Sequence, residues 1–149
     1  MSRTIKHIVV ATDLSKTSER AVELGREMAA DKGAKLSVVC SIDPEPYFIS
    51  DLDPTMLDLT PSLGEELRKV AERGLQRLRD QQLGGSADVT LAVLEGRSPG
   101  AAVVEYCEEK QADLIIVGSH GRTGVRRALL GSVAEKIVRS ASCDVYVAR

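Results

Sequence analysis

A chain of 149 residues that is 43% hydrophobic and 28% charged predicts one soluble globular domain, 1–149, with a core of its own. The formal net charge of −2 and the few aromatic residues, three Tyr, one Phe and no Trp, disfavour binding to nucleic acid or to an anionic membrane. No apolar run approaches the roughly 20 residues that cross a bilayer. The apolar run near the N-terminus is too short for a signal peptide. We therefore expect a cytoplasmic protein without membrane insertion.

Five short apolar segments rich in β-branched residues predict buried strands. They span residues 5–11, 35–42, 88–96, 113–118 and 144–148. Helical spacing between them predicts helices over 19–32 and 62–83, a third that begins at 98–100, and a last one that ends at 140. This alternation predicts an α/β fold with an open, doubly wound parallel sheet and helices on both faces. Ligands bind such sheets beyond the carboxyl ends of the strands, where the winding reverses.

The helical spacing also assigns inward faces, and one segment between the elements has no period at all. The second helix is predicted to bury Leu67, Val70, Ala71, Gly74, Leu75 and Leu78, and the last one Val133, Ile137 and Val138. Segment 43–61 holds four Pro and five acidic residues, which predicts a long loop. Its aromatic residues, Tyr47 and Phe48, either fold over a ligand or pack beneath the loop.

Four glycines punctuate the stretch "VGSHGRTGVRRALLGSVAEK", residues 117–136. Gly118 and Gly121 let the backbone turn sharply and approach a ligand. Gly131 and Ser132 open the last helix, where unpaired N–H groups and the helix dipole favour an anion. The Ser132 hydroxyl either caps this helix or binds a phosphate oxygen. Positive charge nearby comes from Arg122, Arg126 and Arg127. The stretch predicts either an ordinary turn before a helix or a phosphate cradle.

The segment "ATDLS" after the first strand supplies a second candidate. The Asp13 carboxylate could accept hydrogen bonds from a base amino group or a ribose hydroxyl. Its alternative role is to cap the following helix, which is worth about 0.5–2 kcal/mol. Two other nucleotide motifs are missing. The chain has no P-loop sequence, and no G-x-G-x-x-G follows the first strand, so a dinucleotide site is disfavoured.

Histidine and cysteine give no separate site. Cys40, Cys107 and Cys143 are odd in number and lack metal-ligand spacing, so we interpret them as reduced thiols that fill space. His7 and His120 are isolated, which disfavours a metal site. His120 either contacts a phosphate or is solvated.

The pattern Gly118-x2-Gly121-x9-Gly131-Ser132 resembles the ATP-binding signature of the universal stress protein family. The stretches "IVVATDLS", "VLEGRSPGAAVVEYCEEKQADLIIVGS" and "DLIIVGSHGRTGVRRALLGSVAEKIVRSASCDVYV" are similar to the family as well. The likeness covers nearly the whole chain apart from 43–61. Two positions depart from the family: Asp144 stands where Pro is frequent, and "VVAT" precedes the first Asp.

The resemblance implies a five-stranded sheet in the order 3-2-1-4-5, with the switch point between strands one and four. It also implies an adenine-nucleotide site in which Ala11, Thr12 and Asp13 hold the adenosine and Ile42 lies against the adenine. The ribose and phosphates are expected at Gly118, Gly121, Gly131, Ser132 and Val133. We add Arg122 to this cofactor-binding set because of its charge. Family members that keep the signature tend to bind ATP.

The last strand, "DVYVA", lacks the Pro or Lys that protects a sheet edge. Because the family typically pairs there, we expect a symmetric homodimer with Val145 and Val147 at the contact.

Three functions are compatible with the chain. We expect a regulatory module that holds ATP, with or without Mg²⁺, and is recognised by an unidentified protein partner during stress. The alternative is a slow ATP-hydrolysing enzyme assisted by Mg²⁺ and the arginines; without a P-loop lysine or an evident general base, fast catalysis is disfavoured and no catalytic residue is assigned. Nucleic-acid binding is disfavoured by charge and composition.

Overall fold

A computed structural model describes residues 3–44, 60–85, 88–120 and 130–149. Strands and helices alternate along this part of the chain, with a single 3-10 turn at Lys16–Ser18 before the first helix. The elements are β1 His7–Ala11, α1 Glu19–Lys32, β2 Lys35–Ile42, α2 Thr60–Gln82, β3 Val89–Glu95, α3 Pro99–Glu109, β4 Leu114–Gly118, α4 Ser132–Ser140 and β5 Asp144–Ala148. None of the helices within these ranges has an apolar stretch long enough to cross a membrane.

The sheet is parallel throughout, in the order β3-β2-β1-β4-β5, which confirms the predicted fold class. The winding reverses between β1 and β4, so the segments that follow these two strands diverge and leave a crevice between them. At the opposite edge, the Asp113 carboxylate accepts hydrogen bonds from the N–H groups of Lys6 (2.8 Å) and His7 (3.0 Å). The hydrogen bond from Lys6 is the main reason that the pKa of Asp113 lies below its ordinary value.

Each face of the sheet has its own core because successive side chains on a strand point to opposite faces. Val10, on the face covered by α1 and α2, and Val9, on the face covered by α3 and α4, are both fully buried. The same alternation in β2 sends Val38 to the first core and Val39 to the second. The β1 strand is therefore held from both sides, which fixes the position of the segment that follows it.

Two helix ends carry capping residues of the usual kind. Gly33 ends α1 in the left-handed conformation, with φ of 62°, which glycine adopts without a steric penalty. Ser98 caps α3 by accepting a hydrogen bond from the N–H of Ala101 at 3.3 Å, and Pro99 is the first helical residue.

Two predicted core residues and one predicted boundary are wrong. Val70 is 56% exposed and Val138 is 47% exposed, because each lies about 100° around its helix from the residue that contacts the sheet, Ala71 or Ile137. The helix α2 begins at Thr60, inside the predicted loop 43–61. Residues 45–59 of that loop, with Tyr47 and Phe48, lie outside the described residues.

Candidate functional site: a cavity where the sheet winding reverses

A cavity of about 480 Å³ lies where the segments after β1, β2 and β4 meet the beginning of α4. Its volume is in the range of small-ligand and cofactor sites. It brings together eight of the ten residues that the sequence nominated: Ala11, Thr12, Asp13, Ile42, Gly118, Gly131, Ser132 and Val133. The other two, Gly121 and Arg122, lie outside the described residues, as do Arg126 and Arg127.

The N-terminus of α4 is oriented as an anion site requires. Gly131 is the N-cap, with φ of −69° and ψ of 161°, and having no side chain it makes no side-chain capping bond. Ser132 is the first helical residue and not the cap, so the capping role that the sequence left open for it is wrong. The next residues, Ser132, Val133 and Ala134, line the cavity. Their backbone N–H groups and the helix dipole favour a negatively charged group there.

The two ends of the segment that connects β4 to α4, at Ser119 and Gly131, are hydrogen-bonded to each other. The N–H of Gly131 donates to the carbonyl oxygen of Ser119 at 2.6 Å, and the N–H of Ser119 donates to the carbonyl of Ala148 at 2.9 Å. These hydrogen bonds hold both ends of the segment next to the end of β5. His120 lines the cavity, and its Nδ1 lies 3.0 Å from the Ser119 hydroxyl, so the structure places this histidine at the site rather than in open solvent.

The segment after β1 is a tight turn held by its own side chains. Asp13 Oδ1 accepts hydrogen bonds from the Ser15 N–H at 2.9 Å and from the Ser15 hydroxyl. The helix α1 has its N-cap at Ser18, so Asp13 stabilises the turn and does not cap that helix. The buried Thr12 hydroxyl lies 2.8 Å from the Ser18 hydroxyl and accepts a hydrogen bond from the N–H of Leu14 at 3.0 Å.

Leu14 completes this turn in an unusual conformation. Its φ of 64° is left-handed, which costs a non-glycine residue about 1–2 kcal/mol. Its side chain packs on α2 at Gly74, where a Cβ atom would come within 2.5 Å of Leu14 Cδ1. The turn that carries Asp13 is therefore clamped between the sheet and α2.

Ser41 is a cavity residue that the sequence pattern did not indicate. The residue is next to the end of β2 and lines the cavity, and its hydroxyl oxygen is buried without a hydrogen-bond partner in the described structure. A buried hydroxyl without a partner is unfavourable by about 1–3 kcal/mol. The sequence signal was a polar residue near the end of an otherwise apolar strand, which alone does not distinguish a ligand contact from a satisfied core serine.

The cysteines have the character expected of space-filling thiols. Each of the three is a thiol outside any disulfide bond. Burial is the main cause that raises the pKa of Cys107 to about 12, with smaller contributions from Cys143 and Glu108. Burial also raises the pKa of Cys143. Thiolates are thus disfavoured at both positions. Over the described ranges, no group of three His, Cys, Asp or Glu side chains could hold a metal ion.

The family model for the universal stress proteins matches residues 4–149. The chain belongs to the universal stress protein family. A universal stress protein of Methanocaldococcus jannaschii is 30% identical over 144 residues, which cover 97% of this chain and 82% of that protein.

Solved universal stress proteins have the same fold. The universal stress protein UspA from Lactobacillus plantarum matches with a TM-score of 0.82 at 21% identity, over 99% of this chain and 100% of that one. A universal stress protein in complex with cAMP matches with a TM-score of 0.63 at 26% identity, over 99% of this chain and 98% of that one. The switch-point cavity of this family member therefore lies in a fold that holds an adenine nucleotide in a similar protein.

Proposed function

We propose that this universal stress protein binds an adenine nucleotide, ATP first among them, in the switch-point cavity and acts as a nucleotide-dependent regulatory module. The observation that carries the proposal is the N-terminus of α4, which has no side-chain capping bond and faces the same cavity as the Asp13 turn and the end of β2. An uncapped helix N-terminus supplies N–H donors for phosphate oxygens. The cAMP complex of a similar family member supports an adenine nucleotide as the class of ligand.

The cavity lining suggests which residues contact each part of the nucleotide. The phosphates would lie at Gly131, Ser132 and Val133, and the adenosine would lie between the Asp13 turn and Ile42. A triphosphate would bring Mg²⁺ with it, bound mainly through phosphate oxygens and water. Gly118, at the end of β4, lets the backbone come close to the ligand.

Little or no turnover is expected at this site. The cavity lining in the described part contains neither lysine nor arginine, and Asp13 uses one carboxylate oxygen to hold its own turn. Phosphoryl transfer depends on closely positioned positive charge and an oriented nucleophile. The alternative, slow ATP hydrolysis, is favoured by one observation: His120 lines the cavity and could orient a water molecule.

We further propose a homodimer through β5 and a protein partner that responds to the bound nucleotide, in a single-domain cytoplasmic protein. Within the described ranges β5 pairs with β4 alone, so its outer edge is open for pairing with a second strand. Val145 and Val147 lie partly buried beside the core of the α3 and α4 face, while Tyr146 is 47% exposed on the other face.

The freshly purified protein should release ATP on denaturation, in near-stoichiometric amount, when the extract is analysed by mass spectrometry. ADP in place of ATP would favour the slow-hydrolysis alternative. An empty protein that also fails to bind added ATP, ADP or cAMP in calorimetry would contradict the proposal. The partner would then have to recognise the protein without a nucleotide signal.

We expect Ser41→Ala to weaken nucleotide binding about three- to tenfold, because a hydroxyl without a protein partner gains one from the ligand, and a hydrogen bond is worth about 0.5–1.5 kcal/mol. The free energy of unfolding of the ligand-free variant should be unchanged or higher, because the removed hydroxyl has no partner to lose. Calorimetric titration and thermal unfolding measure the two effects.

Ser37 in the same strand provides the matched control. Its hydroxyl is buried and lies 2.8 Å from Nε2 of His7, at the far end of β2 from the cavity. Ser37→Ala should therefore lower stability and leave nucleotide affinity unchanged. A Ser41→Ala variant that loses stability but binds nucleotide normally would show that Ser41 has only a structural role.

A further inference from the structure

A second cavity of about 570 Å³ forms a groove between the beginning of α1 and the C-terminal half of α2. One wall is the turn at Leu14 and Ser15 with the first residue of α1, and the other is α2 from Val70 to Gln82. Among the described lining residues, the groove shares only Leu14, Ser18 and Val70 with the switch-point cavity. The groove therefore adjoins that cavity, and Leu14 belongs to the lining of both.

Two arginines give the groove its charge. Arg73 and Arg77 are exposed, line the groove and form no ion pair with any described carboxylate. Three acidic side chains of the same helix pair elsewhere, Glu72 with Arg68, and Glu65 and Glu66 with Lys69, and its fourth, Asp80, does not line the groove. The one carboxylate among the described lining residues is Glu19, at the first turn of α1 on the opposite wall. The α2 wall is thus a positively charged surface on a chain whose net charge is −2.

The spacing along α2 defines the shape of the occupant. Arg73 and Arg77 are four residues apart, which separates them by about 6 Å along the helix axis. Side chains on the same side of an extended peptide, at positions i and i+2, are about 6.6 Å apart. Two carboxylates of an extended segment can therefore meet both guanidinium groups, each of which can donate two hydrogen bonds to one carboxylate.

Other lining residues suit the rest of such a segment. Val70 is 56% exposed and offers an apolar contact at one end of the groove, and Leu78 lies one turn beyond Gly74 on the floor. Gln81 and Gln82 continue the α2 wall and can bond to a peptide backbone through side-chain amides. Glu19 on the facing wall disfavours carboxylates on that side, which gives the segment one orientation.

We propose that this groove is the docking site for an extended acidic segment of a partner protein, with carboxylates at alternate positions on Arg73 and Arg77. The proposal goes beyond nucleotide binding and does not depend on it, because neither arginine lines the switch-point cavity. It gives the protein a second ligand on the other side of the Asp13–Ser15 turn.

The test uses a fluorescein-labelled octapeptide, GEVEVESG, and its neutral counterpart, GQVQVQSG, in fluorescence anisotropy at low salt. We expect saturable binding of the acidic peptide and at least tenfold weaker binding of the neutral one. The double variant Arg73→Glu/Arg77→Glu should bind the acidic peptide at least tenfold more weakly. Lys32→Glu/Lys35→Glu makes the same change in net charge at two exposed residues outside the groove and should bind like wild type.

Three results would overturn the proposal: no saturable binding of the acidic peptide, equal binding of the two peptides, or an equal loss in both double variants. Complete displacement of the peptide by inorganic phosphate would instead identify a small-anion site and would also overturn it. Circular dichroism checks that each variant is folded, and Arg73→Gln/Arg77→Gln replaces the charge reversal where that variant is unfolded. Nucleotide titration of the same variants should be unchanged, so failure of this proposal is separable from failure of the nucleotide proposal.

Discussion

Gly131→Asp is expected to raise the stability of the ligand-free protein and to weaken ATP binding about 100-fold or more. Gly131 is the N-cap of α4 and has the extended backbone, φ of −69° and ψ of 161°, that capping residues with side chains adopt. An Asp side chain there can accept hydrogen bonds from the N–H groups of Val133 or Ala134, which stabilises the helix by only a few tenths of a kcal/mol relative to glycine. The added carboxylate then occupies the N–H donors proposed for the phosphates, and its negative charge repels the phosphates.

The size of the binding effect follows from the distance between the charges. Two like charges about 4 Å apart repel by about 4 kcal/mol at an effective dielectric constant of 20, and a hundredfold loss of affinity needs about 2.7 kcal/mol. Thermal unfolding without ligand and calorimetric titration with ATP measure the opposite effects on one variant. A Gly131→Asp variant that is stabilised but still binds ATP like wild type would place the phosphates elsewhere.

Gly131→Asn separates the charge from the capping bond. Asn caps a helix about as well as Asp but carries no charge. It should therefore raise stability nearly as much, and it should weaken ATP binding only by the loss of the N–H donors that it occupies. The difference in affinity between the Asp and Asn variants measures the repulsion alone.

Local features of the chain made the strands, the sheet and most of the candidate site predictable. Val9 and Val10 lie in an uninterrupted apolar run, which indicates a strand that is buried on both faces. Asp13 and Gly118 follow such runs, and the carboxyl ends of parallel strands share one edge of the sheet. The family resemblance supplied the strand order, and the structure agrees with it.

The errors concern properties that no local pattern contains. Val70 and Val138 fit the helical period, but how much of each stripe the sheet covers depends on the helix's placement in the fold. The role of Ser41 depends on what surrounds its hydroxyl, and those neighbours come from distant parts of the chain. The groove at Arg73 and Arg77 depends on a turn and a helix that are about 60 residues apart, so sequence spacing alone did not reveal it.

Gly100→Ala is expected to destabilise the protein by about 1–3 kcal/mol, although alanine is the better helix former by about 1 kcal/mol. Gly100 is buried in the first turn of α3, where α3 crosses α4. A Cβ atom there would come within 2.7 Å of Cβ of Lys136 and 3.2 Å of the carbonyl oxygen of Val133. Neither atom is the far end of a flexible side chain, so α4 itself must move.

This movement should also reach the nucleotide. Val133 lines the cavity, and the N–H groups proposed to hold the phosphates belong to the same first turn of α4. A shift of about 1 Å would misalign these donors with the phosphate oxygens, so we expect ATP affinity to fall about tenfold. Chemical unfolding and calorimetric titration measure the two losses on the same preparation.

Gly96→Ala is the matched control, since its Cβ atom would lie at an ordinary 3.6 Å from Cβ of Ala102. It should leave both stability and ATP affinity nearly unchanged. Adding Lys136→Gly to Gly100→Ala removes the side chain that lies closest, so the two changes together should cost less than the sum of their separate effects. Additive losses, or a Gly100→Ala variant that binds ATP normally, would show that the contact between α3 and α4 does not position the phosphate donors.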